Sequence, residues 1–265
     1  MGYLVDQSRR TVTSSNSPLR FENTGSQTWP TWDRFLSVNG VKAYHLGNIC
    51  GTCAFFFERL DAAAHAVDVG ALSSALAEGL VALDADLVAS LSQLMPAGEY
   101  SVLLLDFQPL SVAIGDESDY FAAEQVESVG VDPYYGQPHD PKVTYYRRGD
   151  RAFINVAGCG AALFDFVAPM STTLDEARVA HYVHALDGGK RPTAVALSVL
   201  DTKQPEIEDG LQHWCMTHYL LDGHHKLAAA ARTGRAVSLL AFVATDRGIT
   251  LPGALDAVIS AYASR

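Results

Sequence analysis

The chain has 265 residues, 48% of them hydrophobic and 18% charged, which excludes wholesale disorder and suffices for one large domain or two ordinary ones. Its formal net charge of −11 repels a phosphate backbone, and the basic clusters are small (Arg147, Arg148 and Arg151; Lys190 and Arg191), so nucleic acid is not an expected partner. No run of eighteen apolar residues offers a membrane span, and the N-terminus lacks the apolar core of a signal peptide. With four sparse cysteines, the expectation is a cytoplasmic protein with reduced thiols and no membrane partner.

Residues 1–30 are polar, rich in Ser, Thr and Asn, and are expected to form an irregular arm. A strand is expected from Val38 to His45, followed by G-N-I-C-G-T-C and then A-F-F-F-E-R-L-D-A-A-A-H-A, which is compatible with a helix. Two helical stretches, about 71–80 and 83–94, place Leu80, Leu83, Leu87 and Leu91 at three-to-four-residue spacing. Y-S-V-L-L-L-D-F over 100–107 is a continuous apolar run suited to a buried strand. Residues 113–142 predict a long loop with short elements, and 143–158 a hairpin with its turn near Gly149.

Beyond Gly160 the texture changes. L-F-D-F-V-A-P predicts a short strand, and S-T-T-L-D-E-A-R-V-A-H-Y-V-H-A-L a helix with Asp175 and Glu176 near its start. P-T-A-V-A-L-S-V-L and H-W-C-M-T-H-Y-L-L-D are β-rich. A helix runs to Thr233 and is closed by Gly234, A-V-S-L-L-A-F-V-A is a last strand, and a helix ends the chain. A boundary near 160 separates an unclassified α+β region, 31–159, from an α/β unit, 160–265.

The corner H-Y-L-L-D-G-H-H-K-L concentrates titratable residues where a strand meets a helix. The first N–H groups of a helix lack partners and its dipole favours negative charge. Gly223 would admit a ligand close to the backbone, Asp222 could cap the helix or bind a metal ion, and His224 and His225 could donate to phosphate or shuttle protons. Lys226 adds a point charge. The same residues also describe a well-capped helix.

Y-L-L-D-G-H-H-K-L-A-A-A-A-R-T-G-R-A-V-S-L-L-A-F-V resembles the ParB/sulfiredoxin-like superfamily, as do R-V-A-H-Y-V-H-A-L-D-G-G-K-R-P-T-A-V-A-L-S-V and F-D-F-V-A-P upstream of it. The resemblance covers about residues 165–245 and implies a ParB/sulfiredoxin-like domain that binds a nucleotide, ATP or ADP with magnesium, at Gly223, His224, His225 and Lys226. Lys226 stands where arginine is usual, and D-G-H-H replaces the neighbourhood of the sulfiredoxin cysteine. The analogy that remains is a small-molecule kinase or nucleotide hydrolase. It implies that Asp222 orients phosphate or magnesium, that the histidines and Lys226 contact phosphoryl oxygens, and that Glu176 or Asp175 is the general base.

Cys50 and Cys53 form a C-x-x-C pair, with His45 five residues before Cys50. Three readings stand: a zinc site completed by His45 or distant ligands, a thiol oxidoreductase, and two buried cysteines in a tight turn. The zinc reading goes with a non-catalytic nucleotide-sensing or interaction module. His181 and His184, three residues apart on a helix, could form half a metal pair but read rather as a solvated face.

Overall fold

In the computed structural model the described residues are 3–24, 33–48, 57–60, 67–129, 141–149, 152–156, 159–203 and 212–264. They form a mixed α/β architecture built on one large sheet. The apolar runs supply its centre: β6 (Gly98–Phe107), β10 (Cys159–Pro169), β11 (Thr193–Lys203), β12 (Gln212–Asp222) and β13 (Val237–Ala244). With β1 (Tyr3–Val12), β7 (Pro109–Val112), β8 (Tyr145–Arg148) and β9 (Ala152–Val156), they form a nine-stranded sheet of order β1-β6-β13-β11-β12-β10-β8-β7. β9 pairs with β10 beside that path. The pairs β10–β12 and β11–β13 are parallel and the others antiparallel.

Both faces of this sheet are covered, which is why its central strands read as unbroken apolar runs. On one face lies a second sheet, β2 (Leu19–Thr24), β3 (Asp33–Val38), β4 (Val41–Asn48) and β5 (Glu58–Arg59), together with α1 (Ser73–Glu78) and α2 (Ala85–Ser92). On the other lie α4 (Glu176–Asp187), α5 (His224–Thr233) and α6 (Ala254–Ala263). Strand β12 shows the division. Cys215, Tyr219 and Leu221 enter the core shared with the small sheet, and Trp214, Met216 and Leu220 the core under the helices. A short helix, α3 (Glu124–Val129), sits in the stretch expected to be loop with short elements.

Four expectations need correction. Residues 1–30 are not wholly irregular, because β1 and β2 lie among them. β1 is an edge strand whose residues are mostly exposed, so it carries no hydrophobic alternation. The strand expected from Val38 to His45 is two strands, turned at Asn39 and Gly40 with φ of 51° and 79°, the twist of a tight hairpin. Within the expected helix after the cysteines, Glu58–Arg59 is a strand paired with β4. Finally, β8 and β9 do not pair with each other; both run antiparallel to β10, at different points along it. The expected boundary near 160 falls at the start of β10, and both cores draw residues from either side of it.

Buried charges lock the layers. Arg34, on β3, reaches Asp201, on β11, at 2.9 Å and also donates to the carbonyls of Gly47, Leu46 and Arg247. Arg148 pairs with Asp165 at 2.7 Å, and Tyr262 donates to the same carboxylate from α6. Beside them His218 shares a hydrogen bond with Ser198 at 2.7 Å, and burial lowers its pKa to about 4 against the opposing field of Asp165. Among the described residues no helix is long and apolar enough to cross a membrane.

Candidate functional site

β12 is buried until Asp222, where the chain leaves the sheet, and α5 starts two residues later. Gly223 makes the turn at φ +109°. A Cβ there would lie 2.6 Å from Ala194 Cβ and 2.9 Å from Ala194 Cα, so the glycine lets the turn pack against β11. Packing inside the protein already explains the residue without any ligand.

Lys226 is 3% exposed. Its ammonium donates to Asp222 Oδ2 at 2.6 Å and to the Thr193 carbonyl at 2.8 Å, and lies 5.9 Å from the centre of the Tyr182 ring. Burial lowers its pKa and the Asp222 carboxylate opposes that shift. The side chain thus ties the end of β12, the first turn of α5 and β11 together.

The two histidines act as acceptors. His224 Nε2 accepts the Ser171 N–H at 3.1 Å, and His225 Nε2 accepts the Asp175 N–H at 3.1 Å. An accepting Nε2 requires a neutral ring with its proton on Nδ1. Burial works in the same direction, lowering the pKa of His224 to about 4 and that of His225 below its usual value. The imidazoles therefore clamp the β10–α4 loop onto α5, and only their Nδ1–H groups remain as donors. Asp175 in turn caps α4, accepting from the N–H groups of Ala177 and Arg178.

Between loop and helix lies a pocket of about 210 Å³, lined by Ser171, Thr173, Arg178, Tyr182, Asp222 and the first turn of α5. Asp222 is the carboxylate in that lining, and Lys226 offsets its charge. Arg178, exposed at the start of α4, hydrogen-bonds the Tyr182 hydroxyl and adds its guanidinium to the lining. Hydroxyls, a guanidinium and the positive end of a helix make the pocket suited to an oxyanion. Its volume is below the roughly 300 Å³ at which drug-sized ligand pockets begin, so it would enclose a phosphoryl group rather than a whole nucleotide.

Asp222, Gly223, His224, His225 and Lys226 form the corner, but His224, His225 and Lys226, expected to contact phosphoryl oxygens, instead bond groups of the protein itself. Glu176 stands on the adjoining helix start, fully exposed, and forms a two-pronged pair with Arg232 of α5 at 2.5 and 2.9 Å. The Arg232 guanidinium holds its carboxyl below the usual range, the wrong direction for a proton acceptor. Cys50 and Cys53 lie outside the described residues. His45 sits on the small sheet, its Nε2 3.1 Å from Asp33 Oδ1 and its Nδ1 3.8 Å from Glu58 Oε2, with Phe35 stacked on the ring. Among the described residues no group of three His, Cys, Asp or Glu side chains is arranged to hold a metal ion.

Sequence reasoning missed Arg178, Ser171, Thr173 and Tyr182. Their signal was S-T-T following the proline of β10, and an arginine in the first turn of the next helix. Comparison with family models, curated proteins and solved structures finds no match to this chain.

Proposed function

We propose that the 222–226 corner binds the phosphoryl end of a nucleotide or phosphorylated small molecule, and that the protein transfers or hydrolyses that group. The observation that carries this reading is the pocket itself, where Arg178, Ser171, Thr173 and the N-terminus of α5 converge on about 210 Å³. The likeness of residues 165–245 to the ParB/sulfiredoxin-like superfamily supports it. In this reading Lys226 and the two histidines are positioning residues, because their hydrogen bonds go to the protein. Magnesium would come with the ligand's phosphates, since Asp222 already gives one oxygen to Lys226. The base proposed at Glu176 acts only if its pair with Arg232 opens.

Two assays test the reading. Calorimetric titration with ATP, ADP and pyrophosphate in the presence of magnesium should show saturable binding that Arg178→Gln weakens tenfold or more. Phosphate release from ATP should then require magnesium and fall in the same variant. Binding without turnover would leave a phosphate-sensing module. Absence of binding would refute the reading.

A further inference from the structure

A second site, unconnected with the corner, is built around Arg247. The β13–α6 loop that carries it is fixed from several directions. The Thr245 N–H donates to the Glu99 carbonyl at 3.0 Å, the Ile249 N–H to Asp201 at 2.7 Å, and the Thr202 N–H to the Ile249 carbonyl at 2.7 Å. Arg34, itself held by the buried pair with Asp201, donates to the Arg247 carbonyl at 3.0 Å. Gly248 lies so close to β11 that a Cβ would meet the Leu200 carbonyl oxygen at 1.9 Å. A buried ion pair and a sterically required glycine therefore position one arginine whose own side chain is not part of the core.

That side chain lies over the Phe21 ring, 5.7 Å from its centre. Two cavities flank the stack, and both are lined by Arg247 and Phe21. One, of about 220 Å³, is otherwise lined by Ser14, Ser15, Ser17 and Arg20 and by apolar residues, with no carboxylate. The Ser14 hydroxyl accepts from the Asn16 N–H and so keeps its own proton to donate. The other, of about 240 Å³, is lined by Phe35, Leu46 and Ile249 and also by Asn23, Asp246 and Arg34, whose guanidinium is taken up by Asp201 and backbone carbonyls. Asp246 is 3.4 Å from Arg247 Nε, but Asp246 is half-exposed and Arg247 partly exposed, so a ligand anion can compete for the guanidinium.

We infer that this groove binds a phosphate monoester carrying an aromatic or apolar group. The phosphate sits on the serine side of Arg247, and the ring on the side of Phe35, Leu46 and Ile249. The orientation follows from the linings: the acid-free cavity, where Arg20 and the Ser14 hydroxyl join Arg247, suits the oxyanion, whereas Asp246 would repel it from the other.

Phenyl phosphate, inorganic phosphate and phenol are the probes, titrated calorimetrically into wild type, Arg178→Gln, Arg247→Gln and Phe21→Leu. Arg247→Gln keeps the carbonyl that Arg34 uses, and an unchanged thermal midpoint verifies that the fold survives. Phenyl phosphate should bind at least tenfold more tightly than either fragment. It should lose tenfold or more in Arg247→Gln, weaken in Phe21→Leu, and be unaffected by Arg178→Gln. Unchanged affinity in a folded Arg247→Gln, equal affinity for inorganic phosphate, or no saturable binding would overturn the inference. Loss in Arg178→Gln alone would assign the ligand to the corner and likewise overturn it.

Discussion

Gly223→Ala is the sharpest test of how the corner is built. The new methyl would sit 2.6 Å from Ala194 Cβ and 2.9 Å from Ala194 Cα, and the second of these is backbone that cannot move without shifting β11. The φ of +109° adds strain for any L side chain. Backbone strain costs about 1–2 kcal/mol and overpacking a further 1–3 kcal/mol, so the substitution should destabilise by about 2–5 kcal/mol. Gly234→Ala is the control, because that residue ends the same helix at φ +64° with no atom within 4 Å of the added methyl. It should cost only the strain, about 1–2 kcal/mol. Urea unfolding of both variants at neutral pH measures the difference. Equal losses, or a loss below about 1 kcal/mol at Gly223, would refute the claim that packing against β11 dictates the glycine.

Further outcomes follow from the same contacts. Lys226→Ala leaves Asp222 and the Thr193 carbonyl without their shared donor; with Asp222 partly solvated, the loss should be about 2–3 kcal/mol by urea unfolding, below the cost of breaking a fully buried pair. Arg34→Ala strands Asp201 in the interior and should cost about 3–5 kcal/mol; also replacing Asp201 with Asn should recover only part of it, because the Gly47, Leu46 and Arg247 carbonyls still lack their donor. His224 titrates near 4 when folded and near 6.5 when unfolded, so the folded state binds fewer protons and stability falls as pH drops through that window. At pH 5 the loss is about 2 kcal/mol from this residue, and buried His218 adds a similar amount. His224→Gln, which can still accept the Ser171 N–H, should reduce the slope of stability against pH between 4 and 6.5 by about 1 kcal/mol per pH unit; an unchanged slope would contradict the neutral-acceptor role.

The central strands and α4, α5 and α6 were legible because burial on both sheet faces and helical periodicity leave strong patterns. β1 was not, since an edge strand with exposed residues leaves none. Residues 143–158 looked like a hairpin because a glycine separates two β-rich runs, yet β8 pairs with β7 and β10, and β9 pairs with β10. At the corner, the strand, the turn and the helix start could be read locally. The histidines' roles could not. They depend on the N–H groups of Ser171 and Asp175, about fifty residues upstream, and nothing in D-G-H-H-K says that an imidazole there accepts instead of donating. Arg178 was hidden for the same reason, since it joins the corner only when α4 packs beside α5.

The most direct measurement of the phosphate site is amide chemical-shift mapping during a titration with ATP and magnesium. The account predicts saturable shifts at the N–H groups of Gly223, His224, His225 and Lys226, and at Ser171 and Thr173, all lost in Arg178→Gln. No shifts at these amides, or shifts confined to the groove around Arg247, would contradict a phosphate site at the corner.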